Sequence, residues 1–456
     1  MRAVLIALLS ALAACGDGQG PERPNLVLIV LDTTRPDRLS LYGYPRPTSP
    51  NLDALASEST VYERAYSTSS WTPPAHASLF TGLYPHQHRV TQAAWHLPVS
   101  QVTLAERLWE AGYRTIGLVG NPMVGRAFGW SQGFDDYHET WRDAPGSDAL
   151  HPALAHFEDF LATPSERPFF AFFNFNEPHS PYEPPAIERE ELVADETPES
   201  ATNDWRRHFT GIHPLGHAEL TRISELYDAE IRYADRLVGD VVAALRQAGR
   251  LDDTVLIVTS DHGENLGEHG MVDHVFSLYE TTVRIPLLVR FPGVFPAGER
   301  VDEAVQIVDV YTTLASLAGL EAAGGEGIDL RKADEHTQRS VLLSYAYPRQ
   351  ALRTLGAAGE QHPGLAPYRH GLLAVREGDR KLILRDDGTT LLYDLAADPG
   401  EEVDLSDQEP EQRERLRRRI ASLRGAAPKD LEARSAPSME VDAETLEELR
   451  ALGYAP

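Results

Sequence analysis

Residues 25 to 37 read NLVLIVLDTTRPD, and this stretch decides the fold class. After Asn25, its next six residues form an unbroken apolar run, and Asn25 to Leu31 is typical of a strand buried on both faces. Polar residues follow at once, beginning with Asp32. Because strands buried on both faces belong to parallel sheets, the stretch predicts an α/β protein with polar groups at one edge of its sheet.

Similar apolar runs recur along the chain and alternate with helical patterns. A long amphipathic helix is predicted over Leu220 to Gln247 and a shorter helix over Thr103 to Ala111. Further strands are predicted over Thr115 to Val119, Phe169 to Phe175, Thr254 to Val258 and Ile285 to Val289. This alternation predicts a large, mostly parallel sheet sandwiched by helices.

The composition narrows the class of function. Of the 456 residues, 42% are hydrophobic and 24% are charged, as in an ordinary globular protein with a sizeable core. Acidic residues number 69 against 42 basic ones, which gives a net charge of −27. A chain this acidic repels nucleic-acid phosphates, so we expect no nucleic-acid partner. Its single cysteine excludes an intramolecular disulfide and any Cys-rich metal site.

The first residues, MRAVLIALLSALAAC, have the pattern of a signal peptide: one Arg, an apolar run, then small residues. The run from Leu12 to Cys15 resembles the lipobox of bacterial lipoproteins, which implies cleavage before Cys15 and acylation of its thiol. The alternative is an ordinary signal peptide with an incidental cysteine. Gly16 to Arg23 reads as a flexible tether. The expected location is the bacterial cell envelope, lipid-anchored, with the outer membrane or periplasm favoured because Gly16, not Asp, follows Cys15.

After about residue 325 the pattern changes to short strand-like runs separated by turn residues. They are Ser340 to Tyr345, Leu372 to Arg376, Lys381 to Leu384 and Leu391 to Leu395. With a charged helix over Pro410 to Arg424, they predict a small antiparallel α+β subdomain; residues 425 to 441 are expected to be loosely ordered. The predicted organisation is a lipoprotein signal peptide over 1–14, a tether over 15–23, a large α/β domain over 24–325, and the C-terminal subdomain with its tail over 326–456.

Carboxylates and imidazoles follow three of the predicted strands. Asp32 follows the first strand, Glu177 and His179 follow the FFAFFNF run, and Asp261 and His262 follow the TVLIV run. Any one of them alone is more often a cap or a surface group. Because parallel strands end at one edge of a sheet, their joint placement predicts a site for a divalent ion such as Ca, Mn or Zn.

A hydroxyl group stands in a different kind of segment, SWTPPAHASLFTG over residues 70–82. Ala75 to Phe80 is expected to open a helix, with Thr72 just before it, and a helix N-terminus favours an anion. A hydroxyl held between a metal ion and such a terminus can act as a nucleophile. The alternative is that Thr72 is simply the N-cap.

These segments resemble blocks of the sulfatase family, within the alkaline phosphatase superfamily. NLVLIVLDTTRPDRLSLYGYPRPTSPNLDALA resembles the first strand and metal loop, and TPPAHASLFTG resembles the nucleophile motif. EPHSPYEPP, SDHGENLGEHG and YETTVRIPLLVRFPG match later blocks. The resemblance covers about residues 24 to 405, and it implies an alkaline-phosphatase-like fold in which 24–325 is the catalytic domain.

The resemblance also implies roles for individual residues. Asp32, Asp261 and His262 are implied ligands of at least one divalent metal ion, with Thr72 as a further ligand and as the nucleophile. The match with the family's metal loops carries these four assignments.

Three histidines are implied to surround the substrate. His179 is similar to the family's substrate-contacting His, and His274 falls where many members place a Lys that holds the substrate anion. His76 stands where the nucleophile motif usually has Arg. Each of the three is a candidate to protonate the leaving group or to hold anionic oxygens.

The departures from the family pattern affect the chemistry. Sulfatases oxidise Cys or Ser to formylglycine, whereas Thr72 would give a ketone, so this modification is not expected. Thr33 replaces the second Asp of the first metal loop. Asn121 lies in the segment where many sulfatases carry a Lys. The predicted site is therefore less cationic than a typical sulfatase site.

Three functions follow as hypotheses. The first is a metal-dependent hydrolase of sulfate, phosphate or phosphonate esters that forms a covalent ester on Thr72. The second is an envelope phosphoalkanol transferase that passes the same group to a glycan or lipid. The third is a non-catalytic, lipid-anchored binding protein on this fold. The expected partners are an anionic ester substrate, possibly an envelope glycan or lipid, and a membrane reached through the lipid anchor.

Overall fold

The computed structural model describes residues 23–143, 150–194, 204–322, 324–332, 339–352, 361–424 and 441–452. The strands in this part of the chain are β1 (Asn25–Leu31), β2 (Thr60–Tyr66), β3 (Arg114–Val119), β4 (Asp136–Glu139), β5 (Phe169–Phe175), β6 (Thr254–Thr259), β7 (Asn265–Leu266), β8 (Val272–Asp273), β9 (Arg284–Ile285), β10 (Leu287–Arg290), β11 (Glu299–Gln306), β12 (Ser340–Tyr345), β13 (Leu372–Glu377), β14 (Arg380–Arg385) and β15 (Thr390–Asp394). The α-helices are α1 (Pro50–Ala56), α2 (Thr72–Thr81), α3 (Pro85–His88), α4 (Leu104–Glu110), α5 (Pro152–Ala162), α6 (Ala186–Leu192), α7 (Trp205–Phe209), α8 (His217–Gln247), α9 (Glu280–Val283), α10 (Val308–Leu317), α11 (Arg349–Leu352), α12 (Pro410–Arg424) and α13 (Ala443–Ala451).

The large sheet is mixed but mostly parallel around its centre, as the sequence predicts. Its strand order is β11-β2-β10-β6-β1-β5-β3-β4, with β9 paired to β2. Strand β1 lies between β5 and β6 and is parallel to both. Alternate residues of β1 enter two separate cores, one on each face: Leu26, Leu28 and Val30 on one side and Val27, Ile29 and Leu31 on the other. Each such fully buried side chain contributes about 1.5–3 kcal/mol, which explains the unbroken apolar run.

The long helix α8 covers one face of this sheet. It begins at His217, three residues before the predicted start, and buries an apolar stripe that includes Ile223, Leu237 and Leu245. The helix runs back along the sheet and leads into β6. It therefore connects the edge where the parallel strands end with the edge where they begin.

The small sheet is antiparallel throughout, in the order β12-β13-β14-β15, and α12 packs on it. Leu416 and Ile420 of α12 join Val375, Leu382 and Leu392 in a separate small core. This confirms the predicted C-terminal α+β unit, while the boundary at residue 325 stays a prediction. The last helix, α13, returns to the large domain, where Arg142 binds Asp442 and Glu444 at 2.9 and 2.6 Å.

Some predictions differ from the observed elements. The predicted strand Ile285 to Val289 is two strands, β9 and β10, broken at Pro286 because proline has no N–H for a ladder, and both pair antiparallel. Strands β2, β4 and β11 carry too many polar residues to show as buried runs. Residues 1–22 and 425–440, including Cys15, lie outside the described residues. Within the described ranges, no helix combines the length and the apolar composition needed to cross a bilayer.

Candidate active site

The carboxyl ends of four neighbouring strands bring polar side chains to one edge of the large sheet. Asp32 follows β1, Asn121 follows β3, and Asp261 follows β6, while Asn174 is the penultimate residue of β5. Parallel pairing keeps these ends level: Val30 is opposite Asn174 and Thr259, and Val119 is opposite Asn174. Side chains distant in sequence therefore meet here.

Asp32, Asp261 and His262 form a buried group whose ligand atoms all lie within 4.8 Å of one another. Oδ1 of Asp32 and Oδ2 of Asp261 are buried and accept no hydrogen bond from the described residues. Burying such carboxylate oxygens destabilises the folded state unless a cation or a proton neutralises their charge. Nδ1 of His262 lies 3.0 Å from the carbonyl oxygen of Gly263, so a proton on Nδ1 leaves the Nε2 lone pair directed into the group. Burial lowers the pKa of His262 to about 3, which keeps the imidazole neutral, and this donor set fits a divalent cation.

Thr72 lies directly against this group, with Oγ1 3.2 Å from Nε2 of His262. The prediction that Thr72 precedes its helix is wrong, as is the alternative that it is the N-cap: Thr72 is the first residue of α2, and Trp71 is the N-cap. Pro73 and Pro74 suit the first turn of a helix but have no N–H groups. The helix N-terminus therefore offers an anion fewer donors than predicted.

Two asparagines hold the other side of Asp32. Nδ2 of Asn121 donates to Oδ2 of Asp32 at 2.8 Å, and Nδ2 of Asn174 donates to the same oxygen at 3.3 Å. The Asn121 amide is itself fixed, because its Oδ1 accepts from the backbone N–H of Met123 at 2.9 Å. Both amides thus bind Oδ2 and leave Oδ1 of Asp32 free to act as a ligand.

Thr33 connects two loops of the site through hydrogen bonds and is not positioned as a metal ligand. Its Oγ1 donates to the carbonyl oxygen of Pro178 at 2.9 Å, and its N–H donates to Oδ1 of Asp261 at 3.3 Å. Its φ of +54° is rare for a β-branched residue, so the backbone is strained beside Asp32. The hydroxyl connects the loops after β1 and β5.

His76 lies behind the nucleophile. Its Nδ1 is 2.9 Å from the carbonyl oxygen of Thr72 and 3.5 Å from Oδ2 of Asp261. Its Nε2 is buried and has no hydrogen-bond partner among the described residues, and the ring lies 6.0 Å from those of Trp130 and Phe172. This placement suits orienting Thr72 and Asp261 more than contacting a leaving group.

His274 provides the cation that the sequence places at the usual Lys position. The short hairpin of β7 and β8 pairs Asn265 with Asp273, so that Glu264 and His274 become neighbours. Nδ1 of His274 lies 3.0 Å from Asp273 and 3.4 Å from Glu264, and all three are buried. Burial alone would lower the pKa of His274, but the two carboxylates raise it well above its usual value. The raised pKa favours the protonated ring of His274; the three ligand atoms also lie within 4.8 Å, but the ion pairs account for their contacts.

His179 lies next to His274, with ring centroids 5.2 Å apart. Its Nδ1 lies 2.6 Å from the carbonyl oxygen of Ser180. Burial lowers the pKa of His179, so this ring is neutral beside the charged ring of His274. The pair therefore offers one imidazole with a raised pKa and one with a lowered pKa beside His262, whose ring centroid lies 4.5 Å from that of His274.

The structure brings together all seven of the predicted site residues that it describes. Sequence reasoning placed Glu264 and Asn121 at this edge without giving them a role, and it did not place Asn174 or Asp273 there; all four contact the predicted site residues. A signal existed for the two asparagines, because each is a polar residue at the carboxyl end of a buried strand.

The comparisons with known proteins agree with this geometry. The family model described as Sulfatase matches residues 24–320. An arylsulfatase of Clostridium perfringens (strain 13 / Type A) is 26% identical over 484 residues, which cover 90% of this chain and 95% of that protein. The phosphonate monoester hydrolase of Agrobacterium radiobacter has a TM-score of 0.70 and 24% identity, over 88% of this chain and 95% of that one. A structure solved in complex with its substrate D-glucosamine-2-N,6-O-disulfate has a TM-score of 0.71 and 20% identity, over 88% and 97%.

Proposed function

The chain belongs to the sulfatase family, and we propose that this sulfuric or phosphoric ester hydrolase works through a covalent intermediate on Thr72. One observation carries the proposal: the Thr72 hydroxyl lies 3.2 Å from Nε2 of His262, within a buried group of unpaired carboxylate oxygens. The packing of a threonine side chain does not require such neighbours. Activation of its hydroxyl as a nucleophile does require them.

Asp32, Asp261 and His262 would hold one divalent metal ion, with Oγ1 of Thr72 as a further ligand. When bound, the ion lowers the pKa of the hydroxyl and neutralises charge on the transferred group. The neutral state of His262 suits this role, because a protonated imidazole cannot bind a metal. Asn121 and Asn174 orient Asp32 so that a single oxygen faces the ion.

Thr72 would attack the phosphorus or sulfur atom in line with the leaving oxygen. The bond from Oγ1 forms, the bond to the leaving group breaks, and water then cleaves the new ester and restores the hydroxyl. His274, held charged between Asp273 and Glu264, would bind the non-bridging oxygens in place of the usual Lys. His76 would hold Thr72 and Asp261 in position from behind.

Phosphorus esters are the expected better substrates. Formylglycine hydrate expels sulfate without a second attack by water, and Thr72 has no such route. Phosphoryl transfer needs only positioning and charge neutralisation, which this site supplies. The phosphonate monoester hydrolase similar to this chain supports this class, and the sulfated-sugar complex supports an anionic glycan ester as partner.

A substrate panel tests the proposal. Aryl sulfate, phosphate monoester, phosphate diester and phosphonate monoester with one leaving group would be compared in Mn, Zn and Ca. We expect the diester or phosphonate to have the highest kcat/KM, and rapid quenching to trap label on the peptide containing Thr72. Turnover without label on Thr72 would contradict the covalent intermediate.

The transferase alternative is retained because Thr nucleophiles resemble those of the superfamily's envelope transferases. It predicts product only when an acceptor glycan or lipid is supplied, so the same panel with and without acceptor distinguishes the two. The non-catalytic alternative is not retained, since the family is one of ester hydrolases.

We further propose that Cys15 is acylated and that the mature protein is lipid-anchored in the bacterial envelope. The lipobox-like run before Cys15 supports this. Multiple acyl chains anchor stably, whereas one holds weakly. Cys15→Ala is expected to release the protein from membranes or to block its processing, as measured by fractionation. Unchanged membrane association would contradict the anchor.

A further inference from the structure

Two backbone N–H groups determine which oxygen of Asp261 is available to the proposed metal ion. Oδ1 of Asp261 accepts from the N–H of Thr33 at 3.3 Å and from that of His262 at 2.9 Å. Oδ2 is buried and has no hydrogen-bond partner among the described residues. The two donors therefore act on Asp261 as the amide of Asn121 acts on Asp32: they bind one oxygen and leave the other to the ion.

Thr33 makes this contact in a left-handed backbone conformation, with φ at +54°. A residue with a branched Cβ disfavours that conformation, so an isolated turn would move to negative φ. Such a change rotates the peptide group that carries the N–H of Thr33 relative to the one that carries its carbonyl oxygen. The bond to Asp261 therefore depends on contacts that hold the turn, because strained residues persist only where their surroundings fix them.

The hydroxyl of Tyr227, on helix α8, provides two such contacts. It donates to the carbonyl oxygen of Thr33 at 2.7 Å and accepts from the N–H of Arg35 at 3.1 Å. Tyr227 is fully buried, and the next residue, Asp228, accepts from the hydroxyl of Tyr44 in the same long loop at 2.7 Å. The helix thus fixes the hydroxyl against the backbone of the turn.

The hydroxyl of Ser260 joins the same turn to the loop after β6. It accepts from the N–H of Thr34 at 3.0 Å and donates to the carbonyl oxygen of His262 at 2.6 Å. Ser260 is also fully buried. The turn is therefore held from α8 and from the loop that carries Asp261, which fixes the proposed ligands after β1 and β6 relative to each other.

We propose that Tyr227 is a positioning residue for the metal site. Its hydroxyl holds Thr33 in the left-handed conformation, and the N–H of Thr33 then keeps Oδ2 of Asp261 directed at the ion. Ser260 supports the same turn from the other side. The inference rests on the proposed function, because it takes Asp261 to be a metal ligand, and it deepens that function by naming what arranges the ligand oxygens before an ion binds.

Tyr227→Phe tests this role because it removes the hydroxyl and keeps the ring. Tyr62→Phe is the matched control, since the buried hydroxyl of Tyr62 donates to the carbonyl oxygen of Leu330 at 3.0 Å, outside the candidate site. The full chain would be freed of metal with a chelator and titrated with Mn by calorimetry. We expect the Kd for Mn to rise about tenfold in Tyr227→Phe, within the usual effect of residues that orient metal ligands. It should be unchanged in Tyr62→Phe, although both variants lower the Tm of the metal-free protein.

Kinetics on a phosphate diester distinguish positioning from a general loss of structure. The hydroxyl of Tyr227 binds backbone groups and no proposed ligand atom. The kcat of Tyr227→Phe should therefore return to the wild-type value at saturating Mn, while the Mn concentration for half-maximal activity rises. A wild-type Mn affinity in Tyr227→Phe, an equal loss of affinity in Tyr62→Phe, or a kcat that stays low at saturating Mn would overturn the inference.

Substitutions of Thr33 in the Tyr227→Phe protein test the backbone step. Thr33→Gly and Thr33→Ala both lose the hydroxyl bond to Pro178, but only glycine takes a positive φ freely. We expect Thr33→Gly to bind Mn about fivefold more tightly than Thr33→Ala in this background, because a Cβ opposes the left-handed conformation. Equal affinities would overturn the step from the conformation of Thr33 to Asp261.

Ser260→Ala loosens the turn without a change in α8, so it provides a test even where Tyr227→Phe does not fold. Its matched control is Ser59→Ala, at a buried hydroxyl that donates to the carbonyl oxygen of Leu55 at 2.8 Å. We expect weaker Mn binding in Ser260→Ala alone. Unchanged affinity in Ser260→Ala would overturn the inference that this turn orients Asp261.

Failure of the proposed function would give a different result. Wild-type protein that binds none of Mn, Zn and Ca would overturn the metal site and this inference together. Mn affinities in the expected order, in a protein that turns over no ester, would contradict the hydrolase proposal and still support the role of Tyr227.

Discussion

Asn121 donates a 2.8 Å hydrogen bond to Oδ2 of Asp32, and this bond decides which oxygen of Asp32 faces the proposed metal ion. The amide cannot turn over without losing the bond that Oδ1 accepts from Met123. A neutral amide thus occupies the segment where many sulfatases carry a cationic Lys. The proposed site would have one cation fewer near the substrate and one carboxylate of fixed orientation toward the metal ion.

Asn121→Ala is therefore expected to weaken metal binding by about 10–100-fold, because partners of ligands typically matter to this extent. Equilibrium dialysis against Mn measures the affinity directly. Asn51→Ala, an asparagine change on α1 far from the site, is the matched control. Unchanged Mn affinity in Asn121→Ala would mean that Asp32 is oriented without it.

Asp261→Ala is expected to remove the bound metal and to lower turnover by several orders of magnitude, while the fold stays intact. The reason is that Oδ2 of Asp261 and Oδ1 of Asp32 are the two carboxylate oxygens of the group of Asp32, Asp261 and His262 that are buried without a hydrogen-bond partner among the described residues. Metal content by mass spectrometry and the circular dichroism spectrum check both parts. Asp302→Ala, at an exposed carboxylate, is the control. A variant that keeps stoichiometric metal and activity would show that the site is wrongly placed.

Thr72→Ala should abolish turnover without loss of folding, and Thr72→Ser should keep part of it, because Ser retains the hydroxyl. Thr72→Cys should create a sulfatase-like motif only in part, since His76 replaces the Arg that maturases commonly read. Steady-state kinetics on phosphate diester and aryl sulfate provide the measurement. A wild-type kcat/KM that is highest for aryl sulfate would show that the family's substrate persists despite the changed nucleophile.

His274→Ala is expected to lower kcat/KM by about 10²–10³, the usual cost of losing one donor to a developing anion. His274→Lys should recover part of this loss, because an ammonium can take the place between Asp273 and Glu264. His213→Ala, a surface histidine paired with Glu219, serves as the control. If the kcat/KM of His274→Lys is no higher than that of His274→Ala, the charge of His274 has no role in binding the anion.

Lys381→Met should destabilise the protein by about 3–5 kcal/mol, because it leaves two buried carboxylates without their cation. Nζ of Lys381 in β14 lies 2.9 Å from Glu280 of the large domain and 2.9 Å from Glu401. Burial raises the pKa of Glu401 from 4.5 to about 7, so the folded state binds an extra proton and the stability contribution of this group falls as the pH rises from about 4.5 to about 7. Calorimetric Tm values across this range check both effects. Glu401→Gln should flatten the pH dependence; a parallel decline in that variant would assign it to another group.

The sequence predicts the elements whose side chains all point into the core. Strands β1 and β5 are apolar apart from one asparagine each, and both are placed at their observed ends. Strand β11, ERVDEAVQ, has only two buried residues, and it forms because β2 offers it a parallel partner. Nothing local in its residues indicates that pairing.

The residues of the candidate site also fall into two groups, those that the sequence places and those that only tertiary pairing places. Asp32, Asp261 and His262 follow apolar runs, so their convergence can be predicted from strand ends alone. Glu264 meets His274 only through the hairpin that aligns Asn265 with Asp273. The bond from Asn121 to Asp32 depends on the mutual register of β1, β5 and β3. Such contacts come from tertiary pairing, which a single sequence does not contain.

The last helix, α13, has a consequence for the order in which this molecule can be completed. It packs on the turn Pro122–Val124, directly after Asn121, and Leu449 is buried in the core there. Arg142 donates hydrogen bonds to Asp442 and Thr445 at the start of α13. A ribosome makes this helix more than 300 residues after the loop that it supports. Asn121 would therefore be held less firmly until α13 has been made and has packed, so the affinity of the proposed metal site would depend on a segment that is remote in sequence from every proposed ligand.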